Sequence, residues 1–193
     1  MMKQFLMVRQ SDGVVAGTVL QDDPDTGPIK PQQPAQDGFN LVAYAGEFSR
    51  EGKDGCVAMW DGTTVSWSIT VERMRELRTE QMRMACEQQI VAGFMCDALG
   101  EPHLYPARGQ DQANLIASVT DSLMASDELA WRTQFWCADA AGAWEFRDHT
   151  VDQIQQVGKT GKRAILAALG KNELLRRQID AAMTTAEIEA ITW

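Results

Sequence analysis

Residues 56–87 read CVAMWDGTTVSWSITVERMRELRTEQMRMACE and change from strand patterning to helix patterning near residue 70. In the first half, apolar and polar residues alternate after an Asp61-Gly62 turn, which is typical of a β-hairpin with one apolar face. In the second half, strong helix formers dominate, and the apolar residues share one broad helical face. The sequence therefore predicts an α+β protein, with a β-rich region over residues 1–70 and a helix-rich domain over residues 71–193.

The β-rich region contains a second turn of the same kind. Phe5 to Val8 and Val14 to Leu20 are apolar runs, and Ser11-Asp12-Gly13 separates them. Glycine accepts the positive φ that a tight hairpin turn requires, so these runs are predicted to pair as antiparallel strands. The amino-terminal part should therefore contain two β-hairpins, and Leu41 to Tyr44 is a candidate for a further strand.

Residues 21–36 lie between the two hairpins and hold four of the six prolines. These are Pro24, Pro28, Pro31 and Pro34. Proline disrupts a helix and lacks the N–H that a central strand donates, so an extended arm without regular secondary structure is predicted. A segment with no core of its own is expected either to stay mobile or to become ordered by contact with a partner. The four prolines are therefore interface candidates.

The helix-rich domain is predicted to contain a short antiparallel hairpin within Phe94 to Tyr105. A second hairpin should join Trp131–Cys137 to Trp144–Phe146 through an Ala-Gly turn. Asp111 is the expected cap of one helix, and Gly170 is a candidate interruption of a later one. Two Thr-x-x-Gln/Glu patterns, at Thr150 and Thr184, are typical of capping boxes, and the second is expected to open a helix that runs to the end.

Composition excludes several classes of function. The net charge is −9, which repels phosphate backbones, so nucleic acid is not an expected partner, although a local basic patch stays open. The four cysteines form no C-x-x-C pair and only two histidines occur, so neither a zinc site nor any other cofactor is expected. The cysteines are expected to be reduced and mostly buried. No apolar run is long enough for a membrane span or a signal peptide.

Three motifs resemble catalytic or binding sites and have simpler interpretations. Gly158 to Lys162 lacks the Walker spacing and falls inside a predicted helix. Asp148 and His149 are expected in a turn before the Thr150 cap, and His103 is expected to be exposed. The acidic cluster near Asp22 lacks the glutamate at position twelve of a calcium loop. No catalytic or metal-binding residue is therefore assigned, although an enzyme stays open as an alternative because a Cys–His pair can form in space.

The six tryptophans are the most informative side chains. Most are expected to lie in the core and to anchor strands to helices. Trp136 faces away from Trp131 and Phe135 on the predicted strand, and Trp193 is the last residue of the sequence. Because exposed tryptophan commonly marks a binding surface, Trp136 and Trp193 join the proline-rich arm as interface candidates.

Several short motifs carry a family resemblance. They are Ile90-Val91-Ala92-Gly93-Phe94, Trp144-Glu145-Phe146, His149-Thr150-Val151-Asp152-Gln153-Ile154 and the final Ala190-Ile191-Thr192-Trp193. Residues 73–193 resemble a domain of unknown function from tailed bacteriophages and prophages, in proteins encoded near tail-fibre and baseplate genes. The start, Val8 to Val15, is similar to the starts of many small phage tail proteins.

The resemblance implies a structural component of a tailed-phage virion, located in the tail, the baseplate or the tail-fibre attachment. The protein would be made in the host bacterial cytoplasm and would bind other tail, baseplate or fibre proteins. Particle symmetry would also allow it to form a homo-oligomer. The alternative is a tail-fibre assembly chaperone that is absent from the finished particle. No catalytic residues come with the resemblance.

Overall fold

The computed structural model describes residues 2–22, 38–46, 48–125 and 130–193, and these form an α+β protein, as predicted. The strands and helices of the described residues are β1 (Met2–Arg9), β2 (Val15–Asp22), β3 (Phe39–Tyr44), β4 (Cys56–Trp60), β5 (Val65–Ile69), α1 (Val71–Val91), β6 (Phe94–Cys96), β7 (His103–Tyr105), α2 (Gly109–Met124), β8 (Thr133–Ala138), β9 (Trp144–His149), α3 (Val151–Ala181) and α4 (Thr185–Glu189). The chain divides into two compact units. The first comprises Met1–Glu76 with Met183–Glu187, and the second comprises Leu77–Ala182 with Ile188–Trp193.

The first unit contains both predicted Asp-Gly hairpins. Strands β2, β1 and β3 form an antiparallel sheet in that order, and β4 pairs with β5. Gly13 has a φ of 75° and Gly62 a φ of 102°, which explains why glycine occupies both turns. The buried residues of this core are Leu6, Val8, Val15 and Ala58.

Strand β2 extends into the segment that the sequence assigned to the proline-rich arm. Gln21 and Asp22 were expected in the arm, but they belong to β2 and pair with Lys3 and Met2 of β1. The prediction is wrong for these two residues because the β1 backbone supplies ladder partners as far as Asp22. The interface candidates Pro24, Pro28, Pro31 and Pro34 lie outside the described residues.

The second unit is built on a four-stranded antiparallel sheet in the order β6-β7-β8-β9. The predicted short hairpin is confirmed, since Phe94 pairs with Tyr105 and Cys96 with His103. Strand β8 begins at Thr133, two residues after the predicted start. Its inner face buries side chains against α3. The buried core residues of this unit include Phe94, Cys96, Tyr105, Phe135, Cys137, Ile154 and Val157.

One helix start differs in detail from the prediction, and two agree with it. The residue before α2 is Arg108, and Asp111 sits three positions later, where its carboxylate accepts the Arg108 backbone N–H at 3.1 Å. Asp111 therefore satisfies a free donor of the first turn without being the cap itself. The Thr150 capping box of α3 and the Thr184 capping box of α4 are confirmed by their reciprocal hydrogen bonds.

The helix ends correct two further expectations. Helix α3 continues through Gly170 without interruption, because a single glycine costs only about 1 kcal/mol in a helix that good helix formers surround. Helix α4 ends at Glu189 and does not reach Trp193. None of the helices in the described part of the chain is long and apolar enough to cross a membrane.

Candidate protein-interaction surface

The outer face of the β8–β9 hairpin carries three exposed aromatic side chains. Trp136 lies opposite Phe146 across the ladder, and Trp144 lies opposite Ala138, so strand alternation brings all three to one face. Trp136 is 40% exposed, Trp144 38% and Phe146 64%. We call Trp136, Trp144 and Phe146 the aromatic patch.

The rings of the aromatic patch support one another. The Trp136 and Trp144 centroids lie 6.2 Å apart with their planes at 18°, and the Trp136 and Phe146 centroids lie 4.9 Å apart with their planes at 60°. Offset and tilted contacts of this kind contribute about 0.5–1.5 kcal/mol per pair beyond simple burial. The rings are therefore held in place before any partner arrives.

Polar groups border the aromatic patch on the side of α2. A shallow hollow of about 570 Å³ reaches from Trp136 and Phe146 to Asp111, Asn114 and Gln134. An apolar centre with a polar rim is the usual composition of a protein–protein interface. The polar side chains of this rim can form directional hydrogen bonds with a partner protein.

The turn between β8 and β9 is braced by Asp139 and Arg147. The Asp139 carboxylate accepts the N–H groups of Ala141 and Ala143 at 2.9 and 3.0 Å, and these bonds, led by that of Ala143, lower its pKa. Arg147 donates to the Cys137 carbonyl at 2.7 Å and pairs with Asp139 at 3.2 Å. These contacts fix the hairpin that presents the aromatic patch.

Beneath the sheet, a buried pair joins Tyr105 to His149. The Tyr105 hydroxyl donates to His149 Nε2 at 2.9 Å, and His149 Nδ1 donates to the Arg147 carbonyl at 2.8 Å. Both ring nitrogens of the neutral imidazole are thus hydrogen-bonded, one as acceptor and one as donor. Burial lowers the pKa of His149 and raises the pKa of Tyr105.

The histidine predictions are corrected by this arrangement. Asp148 and His149 were expected in a turn, but both belong to β9, and His149 is fully buried. His103 was expected to be exposed, but it is 8% exposed on β7, where its Nδ1 lies 2.9 Å from the Glu101 carbonyl oxygen. Both residues alternate inward on their strands, and backbone carbonyls satisfy their ring N–H groups, so burial costs little.

The tryptophans are less buried than predicted. Trp136 and Trp144 are exposed, and the other four, namely Trp60, Trp67, Trp131 and Trp193, are half-buried. The large indole ring leaves an edge in solvent even where it packs on a core. Trp193 has the Lys171 ammonium 4.5 Å from its ring centroid. Trp193 and the aromatic patch share no ring contact among the described residues.

Trp144 and Phe146 were missed as site residues, although the sequence contained a signal for them. Residues two apart on a strand share a face, and the Ala-Gly turn sets the register that places Trp144 and Phe146 opposite Ala138 and Trp136.

The cysteines agree with the prediction, since all four are free and three are buried. In the described part of the chain, no three His, Cys, Asp or Glu residues are grouped closely enough to hold a metal ion.

Comparisons with known proteins place the chain in a family. Neither the curated proteins nor the solved structures contain a match. Residues 73–192 match a family described as a domain of unknown function, DUF4376. The match covers more than half of the chain and contains the whole β8–β9 hairpin. The chain therefore belongs to the DUF4376 family.

Proposed function

We propose that this protein is a structural component of a tailed-phage virion, in the tail, the baseplate or the tail-fibre attachment. It works by binding other tail proteins, and the aromatic patch is the centre of its binding surface. The observation that carries the proposal is the exposure of three aromatic rings on a braced hairpin, with Trp144 and Phe146 both packed on Trp136. The phage assignment itself rests on the sequence resemblance described above.

The aromatic patch has the chemistry of a binding hot spot. Tryptophan side chains dominate the binding energy of many interfaces, and rings that are already fixed lose little conformational entropy on binding. Exposed aromatic rings also leave a large apolar area in water, which a partner would remove. The aromatic patch is therefore better explained as a surface that a protein partner covers than as one that stays exposed to water.

A structural role is favoured over catalysis because of where the titratable groups lie. His149 and Tyr105 hydrogen-bond each other in the core and are fully buried. A general acid or base has to reach the proton that it transfers, and these two groups do not reach solvent. Their arrangement instead stabilises the sheet that carries the aromatic patch.

The proposal is tested first by mass spectrometry of purified virions from the phage or prophage that encodes the chain. We expect the chain at a fixed ratio to other tail proteins. If it occurs only in infected cells, bound to tail fibres before assembly, the chaperone alternative replaces the virion role. If it occurs in neither place, the phage proposal is wrong.

A pair of variants then tests the surface. Trp136→Ser should abolish incorporation or weaken it strongly, because truncation of an interface anchor costs on the order of 2 kcal/mol, or about 30-fold in affinity. Leu169→Ser is the matched control, since Leu169 is an exposed apolar residue on α3, 47% exposed and outside the aromatic patch. Equal incorporation of both variants would remove the aromatic patch from the binding surface.

A further inference from the structure

A second apolar surface lies between α2 and α3 and shares none of its apolar side chains with the aromatic patch. It is an open groove of about 820 Å³ whose walls include Leu115, Val119 and Ile165. Ile116 and Leu123 also line it and are 67% and 61% exposed. These two residues lie seven apart, so they sit on the same face of α2, two turns from each other. Helix α2 thus has a solvent-exposed apolar stripe, formed by Ile116 and Leu123.

Two glycines of α3 allow the elements around the groove to approach closely. A Cβ at position 158 would lie 2.8 Å from a methyl carbon of Val119, and one at position 161 would lie 2.8 Å from the Phe94 ring. Real Cβ atoms do not approach other atoms so closely. The groove therefore has a fixed apolar floor, against which a ligand can pack without first rearranging the helices.

The border of the groove is positively charged. Lys159, Lys162 and Arg163 line it and are exposed, and the described lining residues include no aspartate or glutamate. This local excess of cations stands out in a chain whose net charge is −9. Three cations beside an exposed apolar stripe favour a ligand that is both apolar and acidic.

We propose that the groove binds an amphipathic α-helix of a partner protein, whose apolar stripe is flanked by aspartate or glutamate. The apolar stripe would pack on Ile116 and Leu123, and the flanking carboxylates would pair with Lys159, Lys162 and Arg163. Helix α2 has 16 residues and a length of about 24 Å, which suits a partner helix of about four turns. An anionic membrane fits less well, because it would face a broad part of a chain whose net charge is −9, whereas a single helix meets only the groove and its border of cations.

The proposal is tested with a displayed library of 18-residue helices. The apolar stripe is fixed as leucine at positions i, i+3, i+4 and i+7, and the flanking positions are randomised among Glu, Lys and Gln. Selection on the full chain should enrich glutamate at the flanks. A fluorescent peptide of the selected sequence should bind, and its affinity should fall as the salt concentration rises.

Matched variants locate the binding. Lys162→Glu and Ile116→Asp should each weaken peptide binding by about tenfold or more. Lys53→Glu makes the same charge change in the first unit, and Leu169→Asp makes the same apolar-to-acid change elsewhere on α3. Both controls should leave the affinity within about twofold of the unchanged chain. Circular dichroism and the melting temperature confirm that each variant is folded.

Four results would overturn the proposal. The library yields no binder, or yields helices with lysine or glutamine flanks. The selected peptide binds Lys162→Glu and Ile116→Asp as tightly as the unchanged chain. Sedimentation reveals a dimer that Ile116→Asp dissociates, which assigns the groove to a second copy. Vesicles of phosphatidylglycerol bind the unchanged chain but not the Lys162→Glu variant, which assigns the groove to a membrane.

Discussion

The Tyr105–His149 hydrogen bond is the polar link at the centre of the second unit. In a Tyr105→Phe variant, the buried Nε2 of His149 loses its donor, so the free energy of unfolding should fall by about 1–3 kcal/mol. Urea unfolding measures this change. Tyr44→Phe is the matched control, because Tyr44 is the other tyrosine of the chain and is only half-buried. Similar losses in both variants would contradict a special role for the buried bond.

The same pair makes stability depend on pH. Burial is the main cause that lowers the pKa of His149, and His103 adds to the effect, while the Arg147 carbonyl and Asp148 oppose it. The unfolded chain takes up this proton near pH 6.5, whereas the folded chain takes it up only at lower pH. The free energy of unfolding should therefore fall as the pH drops below about 6.5, by at most about 1.4 kcal/mol per pH unit for this group, and level off below the folded pKa.

The two histidines allow a direct measurement. An NMR titration of the imidazole C–H signals, assigned with a His103→Gln variant, should give His149 a midpoint below 6.5. A midpoint above 6.5 would reverse the expected slope of stability with pH and would indicate that the neutral form is not the one held in the core.

At the scale of elements, the glycines of α3 offer a paired test. A methyl group at Gly161 meets the Phe94 ring, whereas nothing lies within 4 Å of a methyl group at Gly170. Gly161→Ala should lose about 1–3 kcal/mol from overpacking, offset in part by helix propensity. Gly170→Ala should gain about 0.5–1 kcal/mol. Thermal unfolding should therefore move in opposite directions, and equal shifts would contradict the close contact at Gly161.

Local signals predicted the elements well, and long-range contacts explain where prediction failed. The Asp-Gly turns and the Thr150 and Thr184 capping boxes depend on neighbours within four residues, so the sequence alone carries them. The uninterrupted course of α3 through Gly170 depends on a balance along the whole helix. The extension of β2 to Asp22 depends on how far β1 continues as its partner, which the turn pattern does not determine.

The candidate site was only partly predictable for the same reason. The exposure of Trp136 follows from alternation along one strand, which the sequence contains. Trp144 and Phe146 join it only through the β8–β9 register, a property of two strands. The burial of His103 and His149 depends on which face of the sheet α3 covers, and that is decided by tertiary packing.

For the whole molecule, Trp193 tests how the chain joins an assembly. We propose that Trp193 belongs to the binding surface. The alternative is a purely structural role, in which Trp193 only packs within its own unit, as its contact with Lys171 would allow. Trp193→Ala should weaken assembly by about 2 kcal/mol in binding and leave the melting temperature nearly unchanged. Lys171→Ala is the control, because it removes the cation and leaves the indole ring. A lower melting temperature with unchanged affinity would remove Trp193 from the binding surface.

Strand β9 lies at the end of its sheet and has its second backbone edge unpaired among the described strands. Such an edge invites addition of a strand from another molecule, the first step of fibril growth. Arg147 turns its charge toward the inner face, where it is 19% exposed, and Glu145 and Asp148 add charges to the same strand. A strand added from another molecule would have to bury these charges, so they oppose aggregation through the β9 edge. Arg147→Val should therefore increase thioflavin T fluorescence and light scattering on storage, and Arg132→Val, a control outside the strand, should not.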